Sequence, residues 1–226
     1  ADGEFKLSQK NTSYLQHIDF SGRRLLELAT SILSISKIEE GCFELQERTT
    51  NVKDFFFNLQ GIISSLAHEK RINANFNMTS NNIDRIKIDD LRLTQIILNL
   101  ISNSIKFSAS KQSIFIYVVV SKTNIIIAVK DNGIGISESD ISLLFNKFQR
   151  VGNNNTEDGA GLGLIITKGL VELMNGDIKL FSNLNEGTLV KVNIPLNSNN
   201  IDEQLANADL LRKAFDPNIK ILVIEN

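Results

Sequence analysis

Asn99-Leu100-Ile101-Ser102-Asn103-Ser104-Ile105-Lys106-Phe107 is the stretch on which the reading of this chain turns. Asn99, Asn103 and Lys106 are spaced i, i+4, i+7 and share one face of a helix. Leu98, Ile101 and Ile105 point the other way, toward a core. A half-buried helix with an amide-amide-ammonium stripe suits a metal-phosphate ligand. The Asn side-chain oxygen is a hard donor for Mg2+, which takes few protein ligands beside phosphates and waters. Lys106 can neutralise phosphate charge. The same stripe also reads as a solvated helix face, and the motif alone does not separate the two.

Two glycine stretches follow. Asp131-Asn132-Gly133-Ile134-Gly135-Ile136 places a carboxylate at a strand end beside two glycines, where backbone can approach a ligand or take positive φ. That carboxylate can accept from an exocyclic amine such as that of adenine. Asp-Asn-Gly is equally ordinary turn chemistry. Gly159-Ala160-Gly161-Leu162-Gly163-Leu164 runs straight into a helix, whose N-terminal amides favour an anion. No strand precedes it and no Gly-Lys-Ser/Thr follows, so neither the dinucleotide fingerprint nor the P-loop fits. Val151 to Ala160 is polar and rich in Asn and Gly, as a lid or a plain surface loop would be.

Outward from these motifs, periodicity predicts the elements. Tyr14 to Glu40 is helical, with Ile18, Ser21, Leu25, Leu28, Ile32 and Ile35 forming a heptad-like seam and Gly41 a stop. Phe43 to Glu47 alternates like a strand. Val52 to Glu69 is an amphipathic helix with Phe55, Phe56, Leu59, Ile62, Ile63 and Leu66 on one side. Ile72 to Met78 is a half-buried strand, and Asp90 to Phe107 a helix. Ile114 to Val120 and Ile125 to Val129 form a hairpin about Ser121-Lys122-Thr123-Asn124. Ser137 to Leu144 is a short helix with a Ser137–Asp140 capping box. Leu162 to Met174 is a helix stopped by Asn175-Gly176, and Ile178 to Phe181 and Leu189 to Ile194 are the last strands. Irregular strand-helix alternation with hairpins predicts an α+β two-layer sandwich on a mixed, mostly antiparallel sheet, preceded by a coiled-coil-like helix.

Composition bounds the function. The 226 residues carry a net charge of −2, with charges mixed along the chain, which argues against a nucleic-acid footprint. Cys42 is the sole cysteine, which excludes an intrachain disulfide or a cysteine metal cluster. No apolar run approaches the roughly 18 residues of a membrane span.

The three motifs resemble the N, G1 and G2 boxes of the histidine-kinase catalytic domain, one branch of the ATPases that share the Bergerat nucleotide fold. Leu144-Phe145-Asn146-Lys147-Phe148-Gln149-Arg150 is similar to the F box, and Gly187-Thr188 to the final Gly-Thr element. The resemblance runs from about Tyr14 to Leu196. It implies ATP and Mg2+ as cofactors, with Asn103 ligating the metal and Asn99 assisting. It implies Lys106 on phosphate, Phe107 on adenine, and Asp131 on the adenine amine with Thr188 supporting through water. Gly133, Gly135 and Ile136 would wall the pocket. Gly159, Gly161, Leu162, Gly163 and Leu164 would hold the phosphates and the lid base, and Phe145, Phe148 and Arg150 would move with the lid.

Residues 8–41 resemble the second helix of a dimerisation and phosphoacceptor hairpin. Residues 42–197 would then be the catalytic domain and 198–218 a linker. The stretch 219–226, Ile219-Lys220-Ile221-Leu222-Val223-Ile224-Glu225-Asn226, is similar to the first strand of a receiver domain. Residues 1–7 read as an expression scar. Neither histidine, His17 or His68, sits in a phosphoacceptor pattern, so the resemblance implies an acceptor histidine outside this chain. The partners implied are that hairpin and a receiver, in a homodimeric hybrid kinase whose catalytic part is cytoplasmic, with or without a membrane receptor attached. A Glu four residues before the metal Asn activates water in the gyrase-like ATPases; here that position is Asn99, a poor base. A nucleotide-binding pseudokinase module and a mechanical ATPase are the alternatives.

Overall fold

A computed structural model describes residues 9–80, 82–141, 144 and 162–196. The chain divides between Phe43 and Glu44 into two compact units. The first is carried by α1 (Gln9–Glu39). Its C-terminus closes as expected of a glycine stop: Gly41 takes φ +66°, and the Cys42 N–H reaches back to the Lys37 carbonyl at 3.0 Å. Ile18, Leu25 and Ile32 of the seam are exposed.

The second unit opens with β1 (Arg48–Asn51), α2 (Val52–Glu69), β2 (Asn73–Ser80), β3 (Arg85–Ile88) and α3 (Asp90–Phe107). It continues through β4 (Ser113–Val120), β5 (Asn124–Asp131), α4 (Glu138–Ile141), α5 (Gly163–Leu173), β6 (Asp177–Asn183) and β7 (Gly187–Pro195). Five strands form one sheet in the order β2-β4-β5-β7-β6; β2 runs parallel to β4 and every other pair is antiparallel. The mixed, mostly antiparallel sheet is the one expected from sequence.

Alternation explains the layering. Ile116, Val118 and Val120 pair across β4–β5 with Val129, Ile127 and Ile125, which pair in turn with Val190, Val192 and Ile194 of β7. All are buried. A two-residue period puts them on one face, which the helices cover: α3 packs on β5 and α5, and α2 on β2 and α3. On α2 the buried stripe is Val52, Phe56, Leu59, Ile63 and Ala67. The predicted seam was wider, and Ile62 and Leu66 stay exposed. The 3.6-residue period carries them off the packed side.

Two local expectations are corrected. Residues 43–47 form no strand; the strand is Arg48–Asn51, paired antiparallel to Arg85–Ile88 in a separate two-stranded sheet. The segment before it is instead held by a side chain, since the Gln46 N–H donates to Asp89 Oδ2 at 2.9 Å. At α4 the Asp140 N–H bonds the Ser137 carbonyl, while the Ser137 hydroxyl meets Ser139 Oγ at 2.9 Å. The capping box as read is not formed.

Candidate functional site

The site is built where three segments end together. Strand β5 lies at the centre of the sheet and delivers Asp131 at its last position. Helix α3 crosses above β5, starting from a strong cap: Asp89 Oδ1 accepts from the Arg92 N–H at 3.1 Å. Its final turn carries Asn103, Lys106 and Phe107 to the same end of the domain. The Ile134 N–H bonds the Phe107 carbonyl at 3.3 Å, joining the glycine loop to the end of α3.

Glycine is required in this loop by contact. A Cβ on Gly133 would collide with the Phe107 carbonyl, and one on Gly135, at φ +64°, with the Asn183 carbonyl. The Asn185 N–H bonds the Ile134 carbonyl at 2.7 Å, so the loop is also pinned to the β6–β7 turn. Gly187 brings the start of β7 against the Asp131 backbone at φ +87°, where no side chain fits.

Asp131 is the electrostatic centre. It is 5% exposed. Burial pushes its carboxyl above the usual carboxylate range. The Gly133 N–H, the Ser104 hydroxyl and the Thr188 N–H all bond it and pull the other way. The Gly133 and Thr188 amides both reach Oδ1, at 2.9 and 3.1 Å. A buried carboxylate with these donors is an oriented acceptor, suited to an amine.

Asn99 faces the first turn of α5. Its Nδ2 lies 3.3 Å from the Gly163 carbonyl and 3.4 Å from Thr167 Oγ1, and Thr167 Oγ1 itself bonds Gly163 at 2.8 Å. The amide protons being directed there, Oδ1 is the Asn99 atom left for a ligand. Asn103 is half-buried. Lys106 Nζ sits 4.8 Å from the centroid of the Phe107 ring, which is 37% exposed. Leu162 is buried, Gly163 and Leu164 are half-buried, and Ile136 donates its N–H to Ser182 Oγ at 2.9 Å.

Asn99, Gly163 and Leu162 are thus brought together with the start of α5, and Phe107, Asp131, Gly133, Gly135, Ile136 and Thr188 with the end of β5. Phe145, Phe148, Arg150, Gly159 and Gly161 lie outside the described residues, as do the linker and the receiver-like strand of 198–226. His68 lies in the last turn of α2, on the sheet's β2 side, and His17 in α1. Sequence reasoning missed Ser104, Thr167, Ser182 and Asp89. An Asp directly before an apolar-periodic run was a legible cap signal for Asp89; the serines and Thr167 offered none.

The donor set fits a magnesium nucleotide: amide oxygens on α3 for the metal, a lysine for phosphate, and a buried acceptor for the base. Comparison with known proteins places the matched region in an ATPase family. Residues 88–198 match the family described as histidine kinase-, DNA gyrase B-, and HSP90-like ATPase. The circadian input-output histidine kinase CikA of Synechococcus elongatus is 35% identical over 192 residues, covering 84% of this chain and 26% of that protein. The autoinducer 2 sensor kinase/phosphatase LuxQ of Vibrio vulnificus is 31% identical over 232 residues, 98% of this chain and 27% of that protein.

This chain belongs to the histidine-kinase branch of that family. It carries the ATP-binding catalytic module of sensor histidine kinases, and it spans about a quarter of the length of these curated relatives. Among solved structures, full-length ShkA in complex with AMPPNP superposes at a TM-score of 0.71 with 26% identity, covering 84% of this chain and 40% of that one. The Acinetobacter baumannii histidine kinase AdeS shares the fold at a TM-score of 0.65 and 21% identity. Among the described residues, no helix of this histidine-kinase chain is long and apolar enough to cross a membrane.

Proposed function

We propose that this domain binds MgATP and donates its γ-phosphoryl group to a histidine outside the chain. The observation that carries the reading is the joint placement of Asn99, Asp131 and the α5 N-terminus around one end of the sheet. Asp131 accepts from the adenine amine, with Thr188 beside it and Phe107 against the ring. Asn103 and Asn99 hold Mg2+, and Lys106 and the first turn of α5 neutralise phosphate charge. ATP supplies a transferable phosphoryl group, for which a protein provides alignment and charge neutralisation rather than covalent chemistry.

Asn99 supports donation over hydrolysis. Its amide is committed to Gly163 and Thr167, and an amide cannot take a proton from water as a carboxylate does. The acceptor is a phosphoacceptor hairpin of which α1 is the second helix, in a homodimeric hybrid kinase with a receiver domain, working in the cytoplasm. Titration calorimetry tests the nucleotide site. Wild type is expected to bind ATP more tightly with Mg2+ than without, and Asn103→Ala to lose that magnesium dependence while keeping its fold. Magnesium dependence unchanged in Asn103→Ala would refute the metal assignment.

A further inference from the structure

Ser182, on β6, bonds three partners around the base end of the site. Its Oγ accepts from the Ile136 N–H at 2.9 Å, lies 2.8 Å from the Gly187 carbonyl, and lies 3.0 Å from Thr188 Oγ1. A hydroxyl has one proton and two lone pairs. A carbonyl can only accept, so the Ser182 proton goes to Gly187. The contact with Thr188 then requires the Thr188 hydroxyl to donate. Both Ser182 lone pairs are filled, by Ile136 and by Thr188.

The consequence falls on Thr188. Its hydroxyl proton is spent inside the protein, so toward the nucleotide it can only accept. Asp131, its neighbour through the 3.1 Å bond from the Thr188 N–H, also only accepts when ionised. We propose that Ser182 is a specificity-determining positioning residue: by consuming the Thr188 proton it makes the base end of the site an acceptor-only rim, which selects a 6-amino purine over a 6-oxo purine. The inference rests on the reading that Asp131 and Thr188 face the base. An amine, or a water oriented by it, donates to such a rim. A 6-oxo group presents a lone pair to two further lone pairs, and a buried unpaired acceptor is costly. With Ser182 removed, the Thr188 hydroxyl regains a proton to offer, and the rim loses half of its discrimination.

The test is the ratio of dissociation constants for ATP and inosine triphosphate, each with Mg2+, measured by calorimetry on the full chain. Wild type favours ATP. Ser182→Ala narrows the ratio by about fivefold, the worth of one neutral hydrogen bond. Ser182→Thr keeps the hydroxyl and keeps the ratio. Thr188→Val removes the rim acceptor without touching Ser182 and narrows the ratio as well, guarding against an alanine variant that folds poorly. A merely structural serine would weaken both nucleotides in parallel and leave the ratio fixed, which overturns the proposal. Asp131→Asn separates the two levels. If it leaves the ratio unchanged, the base reading itself fails; if it collapses the ratio while Ser182→Ala does not, only the role of Ser182 fails.

Discussion

The backbone N–H of Thr188 donates to Oδ1 of Asp131 at 3.1 Å, fastening the start of β7 to the end of β5. With the Gly133 amide on the same oxygen and the Ser104 hydroxyl on the carboxylate, it fixes the plane of a charged group that the fold has nearly sealed from water. The arrangement separates stability from function at one residue.

Asp131→Asn is therefore expected to lose nucleotide affinity without losing the fold. Its carboxyl titrates above the unfolded value because of burial. A raised carboxyl contributes stability below the unfolded pKa, and that contribution disappears as pH rises through the folded value. At neutral pH the ionised side chain is thus a cost, which the isosteric amide removes. The amide oxygen keeps the Gly133 and Thr188 bonds, and Ser104 can accept from the new Nδ2. Thermal melts should show Asp131→Asn at least as stable as wild type at pH 7, with the gain vanishing in acid. ATP affinity should fall by about 1.5–3 kcal/mol, as for a bond to a charged group. A variant less stable than wild type at pH 7 would contradict the burial argument.

Two glycines should respond oppositely to alanine. At Gly135 a Cβ meets the Asn183 carbonyl and the backbone sits at φ +64°, so Gly135→Ala should cost more than about 1 kcal/mol in urea unfolding. At Gly163, the first residue of α5, the nearest atom from elsewhere in the fold that a Cβ would meet is Asn99 Cγ at 3.9 Å, an ordinary contact. Gly163→Ala should leave stability unchanged or raise it by up to about 1 kcal/mol. Its effect should appear instead as weaker MgATP binding, since a methyl group then covers the first turn where phosphate would lie. Full affinity in a folded Gly163→Ala would place the phosphates elsewhere.

Asp89 joins the connector after α1 to the start of α3. One carboxylate oxygen caps the helix through the Arg92 N–H, and the other holds the Gln46 N–H. Asp89→Ala leaves two part-buried amides without their acceptor and removes a helix cap, and should cost about 1–3 kcal/mol of stability. Hydrogen exchange should rise at Gln46 and in the first turn of α3. Unchanged protection at both places would show that the carboxylate is not the clasp.

The long elements were legible because packing agrees with period. Val52–Glu69 and Asp90–Phe107 are each bounded by an Asn or Asp cap and carry a 3.6-residue apolar stripe. The β4–β5 hairpin announced itself by β-branched runs around a polar turn. What escaped was held by other means. Strands β1 and β3 are four residues each and largely charged or polar, and among the described residues they pair only with one another. Ser104 and Ser182 act through single hydroxyls aimed by tertiary structure, which no spacing rule reveals. The site's two halves were legible as motifs, but the bonds from Asn99 to Gly163 and from Thr188 to Asp131 join residues more than 50 positions apart, and only the fold brings them together.

Phosphoryl donation itself is tested most directly by incubating the chain with γ-labelled MgATP and a separately produced phosphoacceptor hairpin. The expected result is acid-labile, base-stable label on the hairpin, absent when Asn103→Ala replaces wild type. Steady release of inorganic phosphate with no label on any acceptor would contradict it and make the domain an ATPase.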